Sequence, residues 1–146
     1  MSAQRRGEAT WFGSLFEGSG SVSLSSSGLV DELPVTWASR TESAGGKTSP
    51  EELIAAAHAG CYAMSLSNIL AQQGNEPERL QVTAVSSFEK VEAGFRMTRM
   101  DLEVSGTVPR IDGASFEEAA QAAKDGCPVS NALKNNVEIT LKAALN

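Results

Sequence analysis

The chain is predicted to form a single α+β domain over residues 1–146, on three observations. Alternating segments of strand length cluster at the start, in the middle and at the end of the sequence. One long helical stretch, KTSPEELIAAAHAGCYAMSLSNILAQ (Lys47–Gln72), carries start and stop signals at its two ends. The remaining helical pattern is confined to the C-terminal third and does not alternate regularly with strands, which argues against a parallel α/β design.

The elements are read in order. Glu8 to Phe12 has strand character, and Gly18 to Ser25 alternates serine with Val22 and Leu24. Pro34 marks the start of a third short strand, Val35 to Arg40, and Thr41 to Lys47 forms a loop broken at Gly45-Gly46. The long helix is predicted over Pro50 to Gln72 or Gln73. Ser49 is its N-cap, Pro50 suits the first turn, and Glu52 holds the capping-box position. Gly74 and Pro77 stop it. Because it is small and apolar all round, burial on every side is expected. Leu80 to Val91 and Phe95 to Val108 read as a hairpin turning at Glu92-Ala93-Gly94. The second arm shifts phase between Met97 and Met100, which predicts a bulge near Thr98-Arg99. After a connection over Pro109 to Gly113, Ser115 is the expected cap of a helix that ends at Gly126. Cys127-Pro128 opens a short helix, and Val137 to Ala143 is a last strand.

Composition excludes several classes. A formal charge of -6 disfavours nucleic acid, which needs clustered lysine and arginine, and also disfavours an anionic membrane surface. No uninterrupted apolar run approaches the ~20 residues of a membrane span. The basic N-terminus MSAQRRGEAT has no apolar run behind it, so no signal peptide is read and a cytoplasmic location is expected. Gly46-Lys47-Thr48 resembles the end of a phosphate-binding loop, but Thr41 stands where that motif needs glycine. No cofactor or metal is expected, since the two cysteines form no CxxC pair.

The chemistry then rests on Cys61 and Cys127. Cys127 falls at or beside a helix N-cap, where free N–H groups favour a thiolate; a small residue filling a tight helix junction explains it equally well. Cys61 is mid-helix, where burial alone silences a thiol. It becomes a nucleophile only if a cation approaches. His58 reads as a hydrogen-bonded core residue, whereas Arg40 would stay charged when desolvated and is better placed by topology.

The segments SRTESAGGKTSPEELIAAAHAGCYAMSLS and KDGCPVSNALKN resemble the OsmC/Ohr family of thiol peroxidases, nearer the OsmC (osmotically inducible protein C) branch through AAHAGC and Arg40-Thr41-Glu42. VEAGFRMTRMDLEV and VPRIDGASFEEAAQAAK are similar too, so the resemblance covers nearly the whole chain. Lys47-Thr48-Ser49 departs from the family's usual approach to Pro-Glu. The resemblance implies antiparallel sheets wrapped around long central helices in an intertwined homodimer. It also implies a peroxidase that reduces organic hydroperoxides to alcohols, and hydrogen peroxide more weakly. Cys61 would be peroxidatic and Cys127 resolving, Arg40 and Glu51 would polarise the thiolate, and an external dithiol such as a lipoylated protein would recycle the disulfide. The competing reading is a dimeric small-molecule binding protein of the same fold without catalysis. An apolar pocket mouth is expected from Trp37, Met64, Phe88, Phe95 and Met97 as a group.

Helix geometry adds one expectation. Glu51 and Cys61 are ten residues apart, about 15 Å of axial rise on a straight helix, so either Glu51 serves the Cys61 of a second subunit or Arg40 bridges across the interface, and both require a homodimer.

Overall fold

The computed structural model describes residues Met1–Asn146. They fall into two compact units, Met1–Leu53 and Ile54–Asn146. The first holds β1 (Glu8–Phe12), β2 (Ser19–Ser23), β3 (Leu33–Val35) and α1 (Trp37–Thr41). Its strands form an antiparallel sheet in the order β1-β2-β3. The helix α2 (Pro50–Gln72) starts in this unit and continues into the second, which adds β4 (Arg79–Val91), β5 (Gly94–Thr107), α3 (Gly113–Gly126), α4 (Pro128–Leu133) and β6 (Glu138–Leu145).

The expected third strand, Val35 to Arg40, is corrected. Pairing stops at Val35, and Trp37–Thr41 is a helical turn. The cause is local. Thr36 accepts from the Ser39 N–H, Ser39 returns the bond to the Thr36 N–H, and this reciprocal cap outweighs the strand preference of Trp37.

The ends of α2 follow the sequence. Ser49 Oγ accepts from the Glu52 N–H at 3.1 Å, while the Glu52 carboxylate takes the Thr48 hydroxyl, so only half of the capping box forms. At the other end Gly74 adopts φ 78°. Its N–H bonds Ala71 O and that of Asn75 bonds Leu70 O, the paired closure of a Schellman motif. Burial on every side is also corrected. One stripe of the second unit's part of α2 is buried, Ala55, His58, Tyr62, Leu66 and Leu70, because a single sheet and α3 cover a single face. Met64, on another face, is 74% exposed. By length and composition α2 does match a membrane span, contrary to the reading of apolar runs; its buried face joins the core of the second unit.

The second unit is a mixed sheet, β4-β5-β6, in which β4 and β5 are antiparallel and β6 lies parallel to β5. Ser87 faces Arg99 and Phe88 faces Met97, so Thr98 is an extra residue, the bulge that the phase shift predicts. Asp112, and not Ser115, caps α3: its carboxylate accepts from the Ser115 N–H at 2.8 Å. Phe116, Ala119, Ala120 and Ala123 of α3 pack with Tyr62, Leu66, Leu70, Met100 and Leu102 in one core. At Gly106 the fit leaves no room for a side chain, since a Cβ there would stand 2.6 Å from Phe116 Cζ.

Candidate active site

Two constellations are present, one in each unit. In the first, the last turn of the short α1 carries Arg40 and the first turn of α2 presents Glu51. Arg40 donates to both carboxylate oxygens, Nη2 to Oε1 at 2.6 Å and Nε to Oε2 at 3.2 Å. This is the bidentate fork expected for a guanidinium that must be aimed. The side chains are 28% and 12% exposed. Arg40 Cζ also lies 5.6 Å from the ring centroid of Trp37, which meets Phe16 edge-on. Ser39 Oγ donates to Thr48 O at 2.9 Å and ties α1 to the approach to α2.

In the second unit, Cys61 on α2 and Cys127 at the N-cap of α4 lie close enough for each thiol to shift the other's ionisation, although they are remote in sequence. Both are reduced; Cys127 is fully buried and Cys61 half-buried. Their protonation is uneven. Burial pushes the Cys61 thiol up, the Val129 amide opposes it, and a neighbouring Cys127 thiolate raises it further. Burial also opposes ionisation of Cys127. There, however, the Ser130 N–H, the Cys61 thiol, the Ser130 hydroxyl and the Val129 N–H together win, and its pKa falls. Within this unit Cys127 is therefore the more readily ionised thiol of the pair and Cys61 the less. The N-cap placement read for Cys127 is borne out.

The reading of His58 as a hydrogen-bonded core residue is borne out, but its partner Ser130 was not read from the sequence. His58 Nε2 lies 2.7 Å from Ser130 Oγ, both side chains buried, and Ser130 in turn touches Cys127. Burial lowers the His58 pKa, so the ring is neutral. The available signal was Ser130, three residues after a capping cysteine, where a hydroxyl can turn back to the cap. Tyr62 is not part of this chain, because its hydroxyl donates to Ala120 O at 2.9 Å.

The expected apolar group is only partly assembled. Phe88 and Phe95 stack with centroids 5.5 Å apart, Met97 packs on the core and Met64 is exposed. Trp37 belongs to the other unit.

The family model described as OsmC-like protein matches residues 43–142. The chain is 43% identical over 141 residues to Peroxiredoxin OsmC of Escherichia coli (strain K12), covering 97% of this chain and 96% of that protein. It is 29% identical over 101 residues to an organic hydroperoxide resistance protein of Xanthomonas axonopodis pv. citri (strain 306), covering 68% of this chain and 69% of that one. Among solved structures, OhrB of Bacillus subtilis, an organic hydroperoxide resistance protein, superposes with a TM-score of 0.73. It is 24% identical and covers 94% of this chain and 97% of that one, a likeness of fold.

Proposed function

Because the chain belongs to the family of OsmC-like proteins, we propose that it is a cysteine-based peroxidase that reduces organic hydroperoxides to alcohols. The observation that carries this reading is the meeting of Cys61 and Cys127 in the second unit, two free thiols placed to become one disulfide. The relatives named for peroxiredoxin activity and for organic hydroperoxide resistance support it.

The Cys61 thiolate attacks the distal oxygen of the hydroperoxide. An S–O bond forms, the O–O bond breaks, and the alkoxide takes a proton to leave as alcohol. Cys127 then attacks the sulfenic sulfur, forming the disulfide and releasing hydroxide, which becomes water. An external dithiol, for which a lipoylated protein is suited, reduces the disulfide by exchange. Organic peroxides are favoured over hydrogen peroxide because the surroundings of Cys61 are apolar.

The first step needs a cation at Cys61, since its own unit pushes that thiol up. Arg40, oriented by Glu51, is the matching group. Glu51 and Cys61 lie ten residues apart on α2, about 15 Å along its axis. The working form is therefore a homodimer in which the Arg40–Glu51 pair of one copy attends the Cys61 of the other. The uncovered apolar face of α2 around Met64, with Ala56, Ala59, Gly60 and Ala63, suits close approach of a second helix. The protein works in the cytoplasm, where a dithiol pool keeps both cysteines reduced.

Stopped-flow measurement of thiol loss with an alkyl hydroperoxide tests the reading. Rapid stoichiometric loss that vanishes in Cys61→Ser supports it. Peroxide-independent binding with no thiol loss would favour a binding protein instead.

A further inference from the structure

The reaction proposed above leaves the buried His58 without a task. Its Nε2 bonds Ser130 Oγ at 2.7 Å, whereas its Nδ1, equally buried, has no partner. A buried bare N–H is rarer than a buried bare lone pair, so the proton belongs on Nε2 and the ring donates to Ser130. A serine hydroxyl has one proton and two acceptor sites. With its oxygen occupied by His58, Ser130 is left free to turn that proton toward Cys127, whose ionisation the Ser130 side chain favours. If Ser130 donated to His58 instead, Cys127 would face a lone pair and Nδ1 would hold an orphaned N–H.

We propose that His58 and Ser130 are positioning residues for Cys127, a buried donor chain from His58 Nε2–H through the Ser130 hydroxyl that aims the second sulfur and stabilises it when it ionises. The proposal rests on the peroxidase reading for its purpose but not for its geometry. In the resolving step the Cys127 thiolate attacks the Cys61 sulfenic sulfur; the S–S bond forms, the S–O bond breaks and hydroxide leaves. The proton given up when Cys127 ionised completes the water, and His58 and Ser130 keep their own proton counts. The titratable groups facing Cys127 are Cys61 and Tyr62 from α2, with His58 one hydrogen bond further off. From α3 it meets the Ala123 carbonyl, and from α4 the Val129 and Ser130 amides and the Ser130 hydroxyl.

In the Cys61→Ser protein, Cys127 is the sole thiol, and ultraviolet thiolate absorbance reads its titration midpoint. Adding Ser130→Ala or His58→Leu is expected to raise that midpoint by about one pH unit, the loss of one charge-assisted hydrogen bond. His58→Gln, which keeps an N–H near the Nε2 position, is expected to leave it in place. In the otherwise unsubstituted protein, Ser130→Ala and His58→Leu should prolong the life of the Cys61 sulfenic acid, trapped with dimedone, about threefold or more. The smaller thiolate fraction is partly offset by greater nucleophilicity. The peroxide step should not slow, because a less ionised Cys127 repels the Cys61 thiolate less. An unmoved midpoint in both variants overturns the proposal, as does a His58→Gln protein that behaves like His58→Leu. If no sulfenic acid forms even in the unsubstituted protein, the peroxidase reading fails, while the titration, which uses no peroxide, still decides the role of His58.

Discussion

The first unit keeps its charges at a partly hydrated edge, and the second buries Cys127 fully and Cys61 in part. Arg40 and Glu51 are 28% and 12% exposed and clamp each other through two hydrogen bonds. Cys127 is fully buried, and its ionisation depends on amides and a hydroxyl, with no cation among its partners. The contrast follows from solvation. A guanidinium–carboxylate pair sunk in a dry interior would suffer a large desolvation penalty, while a thiol is stored there without loss. Each arrangement is also incomplete. The charged pair has no thiol in its unit, and the thiol pair has no cation among the groups that set its ionisation.

Substitutions break this complementarity in graded ways. Cys61→Ser is expected to abolish peroxide turnover altogether, whereas Cys127→Ser should still consume one equivalent of peroxide and then stall as a sulfenic acid; burst stoichiometry separates the two. Arg40→Ala should slow peroxide-dependent thiol loss on the order of a hundredfold at neutral pH, the thiolate lost when a nearby cation is removed. Glu51→Gln should slow it less, because the guanidinium remains but is no longer held. Circular dichroism should show both variants folded.

Two further changes sharpen the comparison from the side of stability. Gly106→Ala forces a methyl against Phe116 and should destabilise the second unit by about 1–3 kcal/mol in urea denaturation. The first unit's ion pair should be untouched. The smallest effect concerns His58. Its folded pKa is depressed by burial, so the unfolded chain binds the extra proton first. Stability is full above the ordinary histidine value of 6.5 and falls as pH drops below it. His58→Gln should flatten that slope in thermal melts at matched ionic strength.

Much of this was legible in residues whose signals are local. The ends of α2 follow from Ser49 and Gly74, and the bulge at Thr98 from a change of phase between Met97 and Met100. The bidentate Arg40–Glu51 pair and the meeting of Cys61 with Cys127 were anticipated through family resemblance, because spacing alone brings neither pair together. What failed was local competition and coverage. The Thr36–Ser39 cap overrode the strand preference of Trp37, Asp112 took the cap assigned to Ser115, and α2 is covered along one stripe only. The His58–Ser130 contact was out of reach, since it joins two helices that only the folded core brings together.

The central claim is that one copy's charges serve another copy's thiol, and mixing two inactive variants tests it. Arg40→Ala retains Cys61 but lacks the cation; Cys61→Ser retains the cation but lacks the thiol. Unfolded together and refolded as mixed dimers, they form a site with both groups if Arg40 acts across the interface, and hydroperoxide turnover should return well above either parent. A refolded mixture, shown by mass spectrometry to contain the mixed dimer, that stays as inactive as its parents would contradict the account.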